Sequence, residues 1–199
     1  VVGTAGADLL DGVTGVFISG GDQMRLVSIL GGTEFAARLR KLVRETPIVL
    51  AGTSAGAAGM STSMIVRGEA LPHPQKNSVR LSPGLGFLKN IIIDQHFTER
   101  GRISRLITAV SYKPYNLGIG VDENTAIILN GNGVLEVFGA GAATIVDGSQ
   151  ITYNGIAEVA DTEAFSVCGV QLHVLRDGLL YDYLDRHPLP LKNEFLLPD

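Results

Sequence analysis

Two hydrophobic periods alternate along the first two thirds of the chain, and each change of period marks an element. Val13-Thr14-Gly15-Val16-Phe17-Ile18-Ser19 is a short apolar run that ends at Gly20-Gly21-Asp22-Gln23, which predicts a strand and a tight turn. Over residues 23–45 the spacing is helical: Leu26 with Leu30, then Phe35, Leu39 and Leu42. Gly31-Gly32 predicts a break into two helices, with Thr33 capping the second. Ile48-Val49-Leu50 predicts a second strand, and the small residues beyond it predict a helix over 54–64. Strand, helix, strand, helix implies parallel strands joined by crossovers, hence an α/β fold.

The pattern breaks over 69–83, where Leu71-Pro72-His73-Pro74-Gln75-Lys76-Asn77 predicts a loop of the kind that forms mobile lids. A strand over 87–94, a helix over 100–112 and a strand over 116–121 follow. After Thr125 the texture changes. Ala126-Ile127-Ile128-Leu129 and Val134-Leu135-Glu136-Val137-Phe138 flank Asn130-Gly131-Asn132-Gly133, a hairpin signal. Further short strands at 143–148 and 171–178 make the last third an antiparallel extension of the same domain.

Composition narrows the function classes. A chain of 199 residues that is 45% hydrophobic is long enough for one domain with a sizeable Val, Ile, Leu and Ala core. A net charge of −4 gives no basic surplus for nucleic acid or an anionic membrane surface. No apolar run reaches the length of a membrane span, and no signal peptide precedes the first strand, so a cytoplasmic location is expected. Because the chain opens on Val1 rather than Met, an original signal could have been lost and an extracellular form stays open. The single Cys168 needs no oxidising compartment, and within Ala164-Phe165-Ser166-Val167-Cys168-Gly169-Val170 it is expected to be a buried small hydrophobe.

The chemistry centres on Gly52-Thr53-Ser54-Ala55-Gly56, a Gly-x-Ser-x-Gly sequence between strand and helix. That is the pattern of a nucleophile elbow, in which a tight turn exposes the serine hydroxyl for acyl transfer. A nucleophilic serine needs a base, and the base needs an orienting acceptor. Of the four histidines, His73 lies in the Pro-rich loop, His173 lies mid-strand and His187 lies near the C-terminus. His96 ends the run Ile91-Ile92-Ile93-Asp94-Gln95, at the carboxyl edge of a predicted parallel strand, where open α/β sheets bind ligands. The acid is Asp122 or Glu123, again just past a strand, and the residues alone leave the choice open. Arg100, Arg102 and Arg105 follow His96 closely and suit a carboxylate-bearing substrate, since Arg binds carboxylates bidentately. Backbone N–H groups of Gly21 and Ala55 are placed to form an oxyanion hole, with Gln23 beside them. This chemistry requires no metal and no cofactor.

Taken together, Gly20-Gly21-Asp22-Gln23, the elbow, Asp94-Gln95-His96-Phe97 with its three arginines, and Gly120-Val121-Asp122-Glu123-Asn124-Thr125-Ala126 closely resemble the cyanophycinase family of serine peptidases, which includes peptidase E. The likeness runs over residues 15–184. It implies a flavodoxin-like α/β sandwich related to class I glutamine amidotransferases. It also implies Ser54 as nucleophile, His96 as base and Glu123 as acid, with Gln23, Gln95, Arg100, Arg102 and Arg105 binding substrate. The implied substrate is cyanophycin, a poly-aspartate backbone with Arg joined to each side-chain carboxyl, cut at its α-peptide bonds to β-Asp-Arg dipeptides. A homodimer is the implied assembly. The family usually carries a further N-terminal βα segment, which this chain is expected to lack.

An α-aspartyl dipeptidase, like peptidase E, is the nearest alternative. An α/β-hydrolase esterase would order its residues serine, acid, histidine, and would need Asp161 or Asp177 with His173 or His187. His96 before Glu123 argues against it. A binding module without chemistry would leave four polar motifs on one rim without a purpose.

Overall fold

The computed structural model describes residues 6–190. The elements are β1 (Gly15–Ile18), α1 (Gln23–Leu30), α2 (Glu34–Glu45), β2 (Val49–Gly52), α3 (Ala55–Gly59), β3 (Ser63–Gly68), β4 (Val79–Pro83), β5 (Ile91–Gln95), α4 (Ile103–Tyr112), β6 (Leu117–Val121) and β7 (Thr125–Leu129). They continue as β8 (Val134–Gly139), β9 (Ala143–Asp147), β10 (Tyr153–Asn154), β11 (Val167–Cys168), β12 (Gln171–Leu175), β13 (Leu180–Asp182) and β14 (His187–Leu189). Asp22 caps α1 by accepting from Arg25 N at 2.8 Å, and Thr33 caps α2 by accepting from Ala36 N at 3.1 Å.

The fold is mixed α/β. Its parallel strands come as two pairs, β1 with β2 and β5 with β6, rather than one continuous sheet among the described residues. Helix α3 packs against both β2 and β5 and so links the two pairs. β9 and β12 add to β6 antiparallel, giving the order β12-β9-β6-β5. A second antiparallel sheet, β14-β13-β8-β7, contains the expected hairpin.

Burial explains the sequence runs. Ile91 and Ile93 of β5 point one way with Leu117 and Ile119 of β6, and meet Leu135, Val137 and Tyr181 of the second sheet. Ile92 and Val146 point the other way, against Leu106, Ala109 and Val110 of α4. A strand covered on both faces needs an unbroken apolar run, which is what Ile91-Ile92-Ile93 and the wholly buried β9 supply.

Three expectations change. The helix predicted over 54–64 ends at Gly59, and Ser63–Gly68 form a strand. Carbonyls of Gly59 and Met60 are taken by Leu85 N and Phe87 N at 2.8 Å each, so the chain is diverted before Ile65 and Val66, which favour strand. The predicted loop over 69–83 contains β4, paired antiparallel with β3. Its remainder is zipped to the 159–165 segment: Lys76 N donates to Glu163 O, Thr162 N to Lys76 O and Phe165 N to Pro74 O. Lys76 Nζ adds a bond to Val159 O at 2.7 Å, which ties this segment down rather than leaving a free lid. Cys168 is exposed, not buried, because β11 is a two-residue strand paired only with β10.

Candidate active site

The turn at Ser54 is shaped by what its glycines exclude. A Cβ on Gly56 would lie 2.1 Å from Ile18 O, and one on Gly52 would lie 2.6 Å from Met60 Cε and 2.9 Å from the Gly56 carbonyl carbon. Strand β2, helix α3 and the end of β1 therefore meet at backbone distance. Ser54 sits between them at φ 51° and ψ −119°, a conformation that costs a non-glycine residue about 1–3 kcal/mol. Thr53 N donates to Ile18 O at 3.1 Å, Gly56 N to Thr53 O at 2.8 Å and Ala58 N to Ser54 O at 3.0 Å, and these bonds hold the turn.

The parallel register of β5 and β6 carries the other two groups to the same rim. Gln95 lies opposite Val121, so His96 and Asp122-Glu123 leave their strands side by side. Phe97 is buried with its ring over Gly120, where a Cβ would lie 2.3 Å from the ring. The Ser54 Oγ to His96 Nε2 distance is 3.2 Å, and His96 Nδ1 lies 2.8 Å from Glu123 Oε1. An ionised carboxylate only accepts, so Nδ1 carries the proton and Nε2 is left to accept from the serine hydroxyl. Glu123, not Asp122, faces the imidazole. The Asp122 carboxylate is spent on Thr98 N at 3.0 Å and Ala142 N at 3.1 Å.

The Gly20-Gly21 turn lies against the serine, since a Cβ on Gly20 would be 3.2 Å from Ser54 Cβ. Gly21 has φ 134°, a region open to glycine but not to other residues. The N–H groups of Gly21 and Ala55 have no acceptor among the described residues. Gln23 donates through Nε2 to Ile65 O at 3.1 Å and Val66 O at 3.2 Å, which leaves its Oε1 without a bond to the described residues.

The three arginines divide. Arg100 is exposed and has no ion pair among the described residues. Arg102 and Arg105, expected to bind substrate, are 8% and 7% exposed and converge on Asp94, which is 1% exposed. Arg105 Nε donates to Asp94 Oδ2 at 2.7 Å, and its Nη2 to Asp94 Oδ1. Arg102 Nη1 lies 3.3 Å from Asp94 Oδ1 and 3.3 Å from Gln95 Oε1, so the Gln95 side chain is held as well. Arg105 Nη1 also reaches Gly68 O at 3.0 Å and ties β3 to the rim. Burial lowers the Arg102 pKa; Asp94 opposes that, while Arg105 and Arg100 add to it. The cluster thus forms an internal Arg–Asp–Arg knot around Asp94, two residues before His96. Asp94 was visible in the sequence as an acid closing an apolar strand run, with arginines eight and eleven positions on.

The remaining histidines and acids lie elsewhere. His73 and His187 are exposed. His173 packs on Tyr181, with ring centroids 5.4 Å apart. Asp161 is 3.7 Å from Lys76 Nζ, and Asp177 accepts from Gly139 N at 2.9 Å.

A serine hydroxyl, an imidazole and a carboxylate in hydrogen-bonded series, at the carboxyl ends of parallel strands, have the geometry of a hydrolase that works through an acyl-enzyme. Residues 6–137 match Peptidase family S51, and the chain belongs to that family. It is 43% identical over 169 residues to a protein of Synechococcus elongatus named cyanophycinase, covering 85% of this chain and 52% of the relative. It is 40% identical over 181 residues to the cyanophycinase of Trichormus variabilis, covering 91% of this chain and 61% of that one. The cyanophycinase of Geminocystis herdmanii is 38% identical over 176 residues, 88% of this chain and 65% of the relative. The chain spans between about half and two thirds of the length of these curated relatives.

Proposed function

We propose that this chain carries the catalytic centre of a serine peptidase that hydrolyses cyanophycin to β-Asp-Arg dipeptides. The observation that carries the proposal is the series Ser54 Oγ, His96 Nε2 at 3.2 Å, His96 Nδ1 and Glu123 Oε1 at 2.8 Å, on a strained turn beside unpaired N–H groups. Membership of a peptidase family and three relatives named cyanophycinase support the substrate.

In this reading Ser54 Oγ attacks the carbonyl of an α-peptide bond between aspartate units while His96 Nε2 takes its proton. Glu123 stabilises the resulting imidazolium and keeps the ring turned toward Ser54. The N–H groups of Gly21 and Ala55 donate to the oxyanion, a role worth on the order of 10²–10³ in rate per donor. His96 returns the proton to the leaving amine, and water activated by the same imidazole then releases the dipeptide. Arg100 is the exposed cation left to meet a substrate carboxylate, and the free Oε1 of Gln23 accepts from a substrate donor. Gln95, Arg102 and Arg105 act on substrate through the wall they build with Asp94. The parallel pairs are parts of a flavodoxin-like sheet, Ser54 stands at a nucleophile elbow, and the assembly is a homodimer.

The test is incubation with purified cyanophycin, followed by mass analysis for β-Asp-Arg. Its release, with a loss of at least about 10⁴ in kcat for Ser54→Ala, is the expected result. Hydrolysis of Asp-X dipeptides with intact cyanophycin would replace the substrate assignment by an α-aspartyl dipeptidase.

A further inference from the structure

We infer that Glu99 and Asp122 are positioning residues that clamp His96 against Glu123, an inference that rests on the reading of these two as base and acid. The Glu123 side chain is 49% exposed and that of His96 is 30% exposed. Neither is held by burial. The Glu123 carboxylate has no hydrogen bond among the described residues apart from the one to His96. Something else must fix a contact that catalysis needs within a few tenths of an ångström.

The backbone around the pair is unusual on both sides. His96 has φ 48° and Asn124 has φ 52°, so two left-handed residues bracket the contact. Such residues persist only where surrounding bonds over-determine them. Three bonds cross between the segment after β5 and the segment after β6. Phe97 N donates to Val121 O at 3.2 Å, as a continuation of the parallel ladder. Thr98 N donates to Asp122 Oδ1 at 3.0 Å. Glu123 N donates to Glu99 Oε1 at 2.9 Å.

The last two bonds run in opposite directions. A carboxylate from each segment accepts a backbone N–H of the other, and the His96 to Glu123 contact lies between them. Asp122 extends the clamp with its second oxygen, which accepts from Ala142 N at 3.1 Å, while Asp122 N donates to Ala142 O at 3.1 Å. The rim is thereby fastened to the start of β9.

The position of Glu99 makes the inference separable from folding. Glu99 is exposed and its carboxylate touches Glu123 only through the backbone. Glu99→Ala removes the acceptor. Glu99→Gln keeps an acceptor oxygen without the charge. Asp122→Asn keeps one acceptor but turns an NH₂ toward the second backbone N–H.

The experiment compares these variants with Glu123→Ala on cyanophycin, with proton NMR of the low-field Nδ1–H resonance of His96 as a second readout. Glu123→Ala is expected to lower kcat by about 10³–10⁴. Glu99→Ala and Asp122→Asn are expected to lower kcat about tenfold at unchanged KM, with the Nδ1–H resonance broadened or lost. Glu99→Gln is expected to restore both readouts. A tenfold loss with Glu99→Gln as large as with Glu99→Ala would overturn the clamp in favour of a simple charge effect. If Glu123→Ala is crippled while Glu99→Ala and Asp122→Asn keep kcat and the resonance, the clamp is wrong and the catalytic reading stands. If Glu123→Ala keeps full kcat, the catalytic reading itself fails and takes the clamp with it.

Discussion

The turn at Ser54 and the arginine cluster after His96 both stand out in the sequence, yet the fold holds them by different means. The turn at Ser54 is a short-range object. Its shape follows from glycines that let backbone meet backbone, with a hypothetical Gly56 Cβ 2.1 Å from Ile18 O. The arginines are long-range objects. What a guanidinium does depends on which carboxylate reaches it, and Asp94 reaches two of the three. Two cations beside one buried acid serve structure first, since a buried charge must be paired before it can be spared for a ligand. The lesson is that small residues declare their role locally, while charged residues declare it only with their partners.

The largest expected effect tests the close backbone approach at this turn. Gly56→Ala places a methyl inside contact distance of a carbonyl that cannot move without shifting β1. The expected cost is more than about 4 kcal/mol, enough to remove most of a marginal fold. Circular dichroism and urea denaturation would read it. A Gly56→Ala protein with wild-type stability would show that the pinch between β1 and α3 is not the constraint it is taken to be.

The next effect tests the knot. Asp94→Asn leaves two buried guanidiniums without their carboxylate, at an expected cost of about 3–5 kcal/mol. Arg100→Ala, on the exposed member of the same cluster, should change stability by less than about 0.5 kcal/mol while raising KM. Denaturation midpoints beside steady-state kinetics separate the two. Equal stability losses, or a raised KM only at Asp94, would erase the distinction drawn between the arginines.

The smallest effect concerns a buried polar group with no hydrogen-bond partner among the described residues. Tyr181 is fully buried and its hydroxyl has no hydrogen bond among the described residues. Burial, with help from Asp147 and against Arg186, pushes its pKa up to about 12. The unfolded chain releases this proton near pH 10, before the folded one does. Stability from this group is therefore complete below about pH 10 and is lost as pH rises toward 12, by at most about 1.4 kcal/mol per pH unit. Tyr181→Phe should cost less than about 1 kcal/mol at pH 7 and flatten this slope, read by urea unfolding at pH 9 and pH 11. An unchanged slope would place the alkaline loss on other groups.

Much of the fold was legible because it rests on local signals. Helices α1 and α2 follow from Leu spacing, the Gly31-Gly32 break and Thr33, which does cap the second helix. The β7–β8 hairpin follows from its Asn-Gly turn. Beyond Gly59 the small residues read as helix, but competing N–H donors on the 84–88 segment take the carbonyls a helix would use, and no local pattern carries that information. The 69–78 segment is anchored by residues more than eighty positions away, which hides its order from any window. At the site, strand ends placed Ser54 and His96 on one rim, and side-chain bonding separated Glu123 from Asp122. Glu99 gave no signal, because its function is to hold a backbone N–H and any exposed acid in a charged stretch looks the same.

Every step proposed for the site requires Ser54 to be a nucleophile activated by His96. Covalent labelling of the folded protein with a fluorophosphonate probe, followed by peptide mapping, tests it most directly. The expected result is one adduct, on Ser54, lost in His96→Ala. No adduct on Ser54, or an adduct that forms as readily in His96→Ala, would contradict it.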